Sequence, residues 1–142
     1  MLSVEYVAGF FDADGCVTIS KIKRSPQAYP IAFRFDNGSY NVLKLMQYML
    51  ELCEIKMHLR RKKVSGNSAP AWRLETNKSS EVTKICLLLQ PHLVVKQKEV
   101  ELTLEFLRYR KVAKDTKMRN AFKDEKFALY KRIKELKHER YI

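Results

Sequence analysis

The chain has 142 residues, 46% of them hydrophobic, which suits one domain with a real core and argues against overall disorder. Lys and Arg number 28 against 16 Asp and Glu, a formal net charge of +12, and this balance points to a polyanionic partner. No apolar run reaches the roughly 20 residues that cross a bilayer, and the start MLSVEYVAG lacks the basic and long apolar stretch of a signal peptide. Cys16, Cys53 and Cys86 are widely spaced, odd in number and without a CxxC pair, so neither a disulfide framework nor a zinc site is expected. A reducing, intracellular setting fits them best, as small buried hydrophobes.

In chain order, Val4, Val7, Ala8 and Phe11 mark one face of a short helix, and Gly15 is expected to end it. Asp12 and Asp14 then fall in its last turn, at the negative end of the helix dipole, where each acid costs about 0.3–1 kcal/mol. CVTISKIKR alternates as a strand, with Val17 and Ile19 against Thr18 and Ser20. After Pro26 and Pro30, IAFRFDN sets Ile31, Phe33 and Phe35 opposite Arg34, completing a hairpin with a long connection. Ser39 is a candidate helix N-cap, followed by apolar positions 42, 45, 46, 49, 52 and 53 at helical spacing.

A second hairpin pairs IKMHLRRKKV, with Ile55, Met57 and Leu59 against Lys56, His58 and Arg60, with AWRLET, where Trp72 and Leu74 oppose Arg73 and Glu75. Ser79 opens another helix, with Val82, Ile85, Cys86 and Leu89 on its buried stripe and Pro91 closing it. From about residue 97 a helix aligns Val100, Leu104 and Leu107, and a last one aligns Phe122, Leu129, Ile133 and Leu136.

This order gives an α+β domain of αββαββα plan, with a four-stranded antiparallel sheet and helices behind it. One domain over 1–142 is expected, with a core over about 1–110 and a basic C-terminal helical region over about 111–142. The sheet face away from the helices carries Arg34, Lys56, Arg60, Lys62 and Arg73, so it is basic. Such a β-ribbon suits a DNA major groove, where Arg, Lys, Ser and Thr read bases and grip phosphate.

VAGFFDADG, residues 7–15, resembles the motif of the LAGLIDADG homing endonucleases, with Ala8, Gly9, Asp12, Ala13, Asp14 and Gly15 identical. LQPHLVVKQKEVELTL, residues 89–104, is similar to the segment by which that family brings in a lysine. The resemblance implies a site-specific endonuclease that is intron-encoded and serves intron homing, making a double-strand break in a long pseudo-palindromic target. Only one motif copy is present, which implies a homodimer. An RNA-binding intron maturase on the same fold is the alternative.

The roles implied by the resemblance fall on particular residues. Asp14 is the metal-binding catalytic acid, with the carbonyl of Ala13 assisting; the cation is Mg²⁺, with Mn²⁺ able to substitute. Lys96 and Asn37 complete the catalytic set, although relatives carry a longer amide near Asn37, and Asn41 stands where some have a basic residue. Thr18, Ser20, Arg24, Arg34, Lys56, His58, Arg60, Lys62, Arg73, Glu75 and Lys98 are the expected DNA contacts. Val7, Ala8, Gly9, Phe10, Asp12 and Ala13 are expected at the dimer interface, where Gly9 and Ala13 leave room for a second backbone. The expected partners are double-stranded DNA and a second copy, with no membrane. The host compartment would be a chloroplast, a mitochondrion, or a prokaryotic or phage-infected cytoplasm.

Overall fold

The computed structural model describes residues 2–22, 28–63, 66, 69–118 and 120–139. The elements run α1 (Val4–Asp14), β1 (Gly15–Ile19), β2 (Ile31–Asn37), α2 (Tyr40–Leu52), β3 (His58–Lys62), β4 (Ala71–Thr76), α3 (Ser79–Leu89), a 3₁₀ turn (Gln90–His92), α4 (Gln97–Asp115) and α5 (Lys123–Glu139). The four strands form one antiparallel sheet in the order β1-β2-β4-β3. This is the α+β plan expected, with β2 and β4 at the centre. No helix among the described residues is long and apolar enough to cross a membrane.

The helices start where short polar side chains answer their free amides. Ser3 Oγ accepts the Tyr6 N–H at 3.1 Å and starts α1. Ser39 Oγ accepts the Val42 N–H at 3.4 Å and starts α2, each cap contributing about 1 kcal/mol. The helices then press an apolar layer onto the sheet. Phe11 of α1 stacks on Phe33 of β2 with ring centroids 4.4 Å apart and meets Phe35 edge-on. Each such pair adds about 0.5–1.5 kcal/mol beyond the area it buries. Leu43, Met46 and Leu50 of α2, Leu74 of β4, and Val82, Ile85, Cys86 and Leu89 of α3 are fully buried in the same core.

Several expectations need correction. The buried stripe of α2 is Leu43, Met46, Met49 and Leu50, so Leu45, Leu52 and Cys53 are exposed. The helix is apolar on more than one side, and only the packing selects the inner face. Cys16 is also exposed and Cys86 alone is buried, where burial pushes its thiol pKa up. The third strand starts at His58, although Ile55 and Met57 before it do face the core. Phe122 precedes α5 with a positive φ of 59° and lies at the surface, while Ile133 is the apolar residue that α5 buries fully.

Gly15 works by another means than a left-handed helix end, since its φ is −88° and ψ 166°. A Cβ there would lie 2.0 Å from Phe11 Cδ2 and 2.8 Å from Phe11 Cα. Only a glycine lets the chain turn straight from α1 into β1 against the Phe11 ring.

Candidate active site and nucleic-acid interface

The two acids in the last turn of α1 have different surroundings. Asp12 uses both carboxylate oxygens: Oδ2 accepts the Val94 N–H at 2.7 Å and Oδ1 the Lys96 N–H at 2.9 Å. It thereby ties the segment ahead of α4 to the end of α1. Lys96 reaches back the other way. Its side chain is buried, 8% exposed, and its Nζ donates to the carbonyls of Phe11, at 3.0 Å, and Gly15. The cation that a helix C-terminus favours therefore arrives from more than 80 residues away. Asp14 and Ala13 are exposed, and Asp14 has no hydrogen bond or ion pair among the described residues.

The open sheet face follows from the register. Cys16 pairs with Arg34, Thr18 with Ala32, Arg34 with Glu75, Asp36 with Arg73, His58 with Glu75, and Arg60 with Arg73. The face is thus less uniformly basic than its sequence suggests, because two carboxylates sit among the cations. Glu75 accepts from Arg34 at 3.0 Å and Arg60 at 2.7 Å. Asp36 accepts two bonds from Arg73, at 2.8 and 3.0 Å, and lies 3.2 Å from Lys62.

Burial by itself would raise both carboxyls, but the hydrogen bonds and charges of these partners hold them below the usual carboxylate range. The Asp36 bond in turn raises Arg73. Asp36 was not among the residues expected from sequence. Its position opposite Arg73 depends on the pairing of β2 with β4, more than 30 residues apart.

The other expected contacts are distributed more widely. Ser20 is exposed just past β1, and Thr18 is half-buried on it. Lys56 lies ahead of β3, its backbone N–H donating to Glu81 at 3.1 Å. Lys98 is not brought to the sheet: it projects from α4, 3.7 Å from Glu101. Arg24 lies outside the described residues. Asn37 closes β2, and its Oδ1 accepts the Ser39 N–H at 2.8 Å, so its amide shapes the entry to α2. His58, His92 and His138 are all exposed, and no group of three His, Cys, Asp or Glu that could hold a metal occurs among the described residues.

The model of the LAGLIDADG-like domain matches residues 2–89, well over half of the chain. The chain belongs to the LAGLIDADG homing-endonuclease family. No curated protein matches it by sequence. Among solved structures, it is similar to the homing endonuclease I-CvuI in complex with its target, with TM-score 0.71 and 19% identity over 94% of this chain and 80% of that one. An archaeal intron-encoded homing endonuclease complexed with DNA gives TM-score 0.74 and 16% identity over 94% and 82%. The meganuclease I-SmaMI bound to uncleaveable DNA gives TM-score 0.66 and 14% identity over 90% of this chain but 43% of that one.

In this LAGLIDADG chain the motif helix divides its residues by face. Val7 and Ala8 are at 0% exposure, spent on the chain's own core, and have no surface left for a second copy. That removes both from the expected interface. Gly9 and Ala13 are exposed, Phe10 and Asp12 are half-buried, and a Cβ added at Gly9 would meet nothing within 4 Å. Lys96 lies beyond the matched residues, yet the fold sets it against the motif's own carbonyls.

Proposed function

We propose that this chain is a site-specific DNA endonuclease that acts as a homodimer and cuts both strands of a long pseudo-palindromic target with a divalent cation. The observation that carries this reading is Asp14: exposed and without a hydrogen bond or ion pair among the described residues, while its neighbour Asp12 is fully engaged. Among the described residues a single chain offers the Asp14 carboxylate and the Ala13 carbonyl at this point, too few for a closed metal site. Two chains related by a two-fold axis through the α1 faces would bring two Asp14 carboxylates together. The alignment with 43% of a longer meganuclease is consistent with one copy supplying half of the cutting unit.

Hard oxygen donors of this kind suit Mg²⁺, with Mn²⁺ able to substitute. When bound, such an ion supplies an activated water and neutralises charge on the scissile phosphate. The residues of the chain prepare that site. Gly9 and Ala13 admit the second helix closely, and Asp12 and Lys96 hold the end of α1 from both sides. Lys96 acts through that helix end, as a positioning residue on the carbonyls of Phe11 and Gly15. Asn37 shapes the turn ahead of α2. Thr18, Ser20, Arg34, His58, Arg60, Lys62, Arg73 and Glu75 form the surface that faces the duplex.

The test uses target duplexes selected by binding from a random library, incubated with the protein in Mg²⁺, Ca²⁺ or EDTA. Cutting of both strands in Mg²⁺ alone, lost in Asp14→Asn with DNA binding kept, is the expected result. Tight RNA binding with no cutting in any divalent ion would replace this reading with the maturase.

A further inference from the structure

Away from the motif helix, α3, α4 and α5 meet where Ala28–Pro30 leads into β2. Arg110 of α4 is held in this junction. Its Nη1 donates to Ser79 Oγ at 3.1 Å and its Nη2 to the Tyr29 carbonyl, and its guanidinium lies 5.4 Å from the Phe106 ring centroid. Lys126 of α5 packs into the same junction. It is 6% exposed, and its ammonium has no acceptor among the described residues. Burial depresses the pKa of both groups, and Arg110 depresses Lys126 further, as expected for close like charges.

The start of α3 adds a third positive element. Its N-cap position is Lys78, which makes no side-chain cap. The acid in its first turn, Glu81, is turned away to the Lys56 N–H and Lys84. The Ser79 and Ser80 amides therefore have no acceptor among the described residues, and the positive end of the dipole stands beside Arg110. No carboxylate pairs with either Arg110 or Lys126 among those residues. A buried unpaired ammonium is costly, and buried charges in folded proteins are normally paired.

We propose that this junction is a phosphate-binding site, built from Arg110, Lys126 and the N-terminal amides of α3. A phosphate suits it because two buried cations and a helix N-terminus share this junction with no carboxylate among the described residues. A tetrahedral group with many acceptor lone pairs can satisfy donors from several directions. The group comes either from a DNA backbone or from free phosphate. The site is separate from the Asp14 end of α1, so its success or failure leaves the nuclease reading untouched.

Wild-type protein and Lys126→Met are melted in sodium phosphate and in sodium chloride at equal ionic strength. Phosphate is expected to raise the wild-type Tm by about 4 °C or more over chloride. Lys126→Met should be at least as stable as wild type in chloride and show less than half of the phosphate gain. An equal gain in both proteins is the general stabilisation by excluded phosphate and overturns the site. Lys126→Glu supplies an internal anion beside Arg110, so its phosphate gain should be no larger than that of Lys126→Met; a wild-type response from it also overturns the site.

Duplex DNA then identifies the source. If the group is a backbone phosphate, Lys126→Met lowers the slope of log K against log salt by about 1. If it is free phosphate, that slope is unchanged while the melting difference is still lost.

Discussion

Asp12 and Asp14 are separated by one alanine and face different tasks. Asp12 is a structural acceptor for two backbone amides, so Asp12→Ala should cost about 1–3 kcal/mol by leaving both N–H groups without their acceptor, read from urea unfolding. Asp14→Asn removes no hydrogen bond or ion pair among the described residues and relieves an acid at the negative end of the helix dipole. It should therefore unfold no earlier than wild type while abolishing the expected cutting. A large stability loss in the Asp14 variant would assign it a structural role instead. Gly15→Ala tests a third residue: with its Cβ 2.0 Å from the Phe11 ring, overpacking should cost about 1–3 kcal/mol. A wild-type Tm for that variant would show that α1 and β1 can part without loss.

The sheet presents its charges as an element. Arg34, Arg60, Lys62 and Arg73 are not loose cations, since Glu75 and Asp36 hold them in fixed geometry. Long basic side chains lose rotamer freedom when they bind, and these ion pairs order them beforehand. The same pairs set a pH dependence. Both carboxyls have folded pKa values below the usual range, so the stability they add is present at neutral pH. It is lost as pH falls below about 4 and through their depressed folded values. Stability measured from pH 7 to 2 should fall in this window, and Glu75→Gln should flatten part of the fall. An unchanged profile in that variant would mean that Glu75 does not hold Arg34 and Arg60 in solution.

At the scale of the molecule, one chain carries a complete core and only half of the proposed site. Gly9 decides whether the other half is a second copy. Its Cα faces open space in the single chain, so Gly9→Leu should leave the monomer folded, with an unchanged circular dichroism spectrum. The same leucine should block close approach of a second α1. Sedimentation on target DNA is therefore expected to show a two-chain complex for wild type and single-chain or no complex for the variant. A two-chain complex from Gly9→Leu would remove the α1 faces from the interface.

Periodicity in the sequence was enough for the alternating helices and strand pairs, for the basic character of one sheet face, and for the motif with its two acids. Those features are local: each is written in residues a few positions apart, where side-chain spacing and backbone geometry are linked directly. What each residue touches was decided by the tertiary structure. The division between Asp12 and Asp14 depends on Val94 and Lys96 reaching α1 from beyond α3. The pairing of Asp36 with Arg73 depends on which strands become neighbours, and the inner face of α2 depends on the sheet beneath it. Contacts between distant segments arise only when the core closes, and a pattern of local spacing does not encode them.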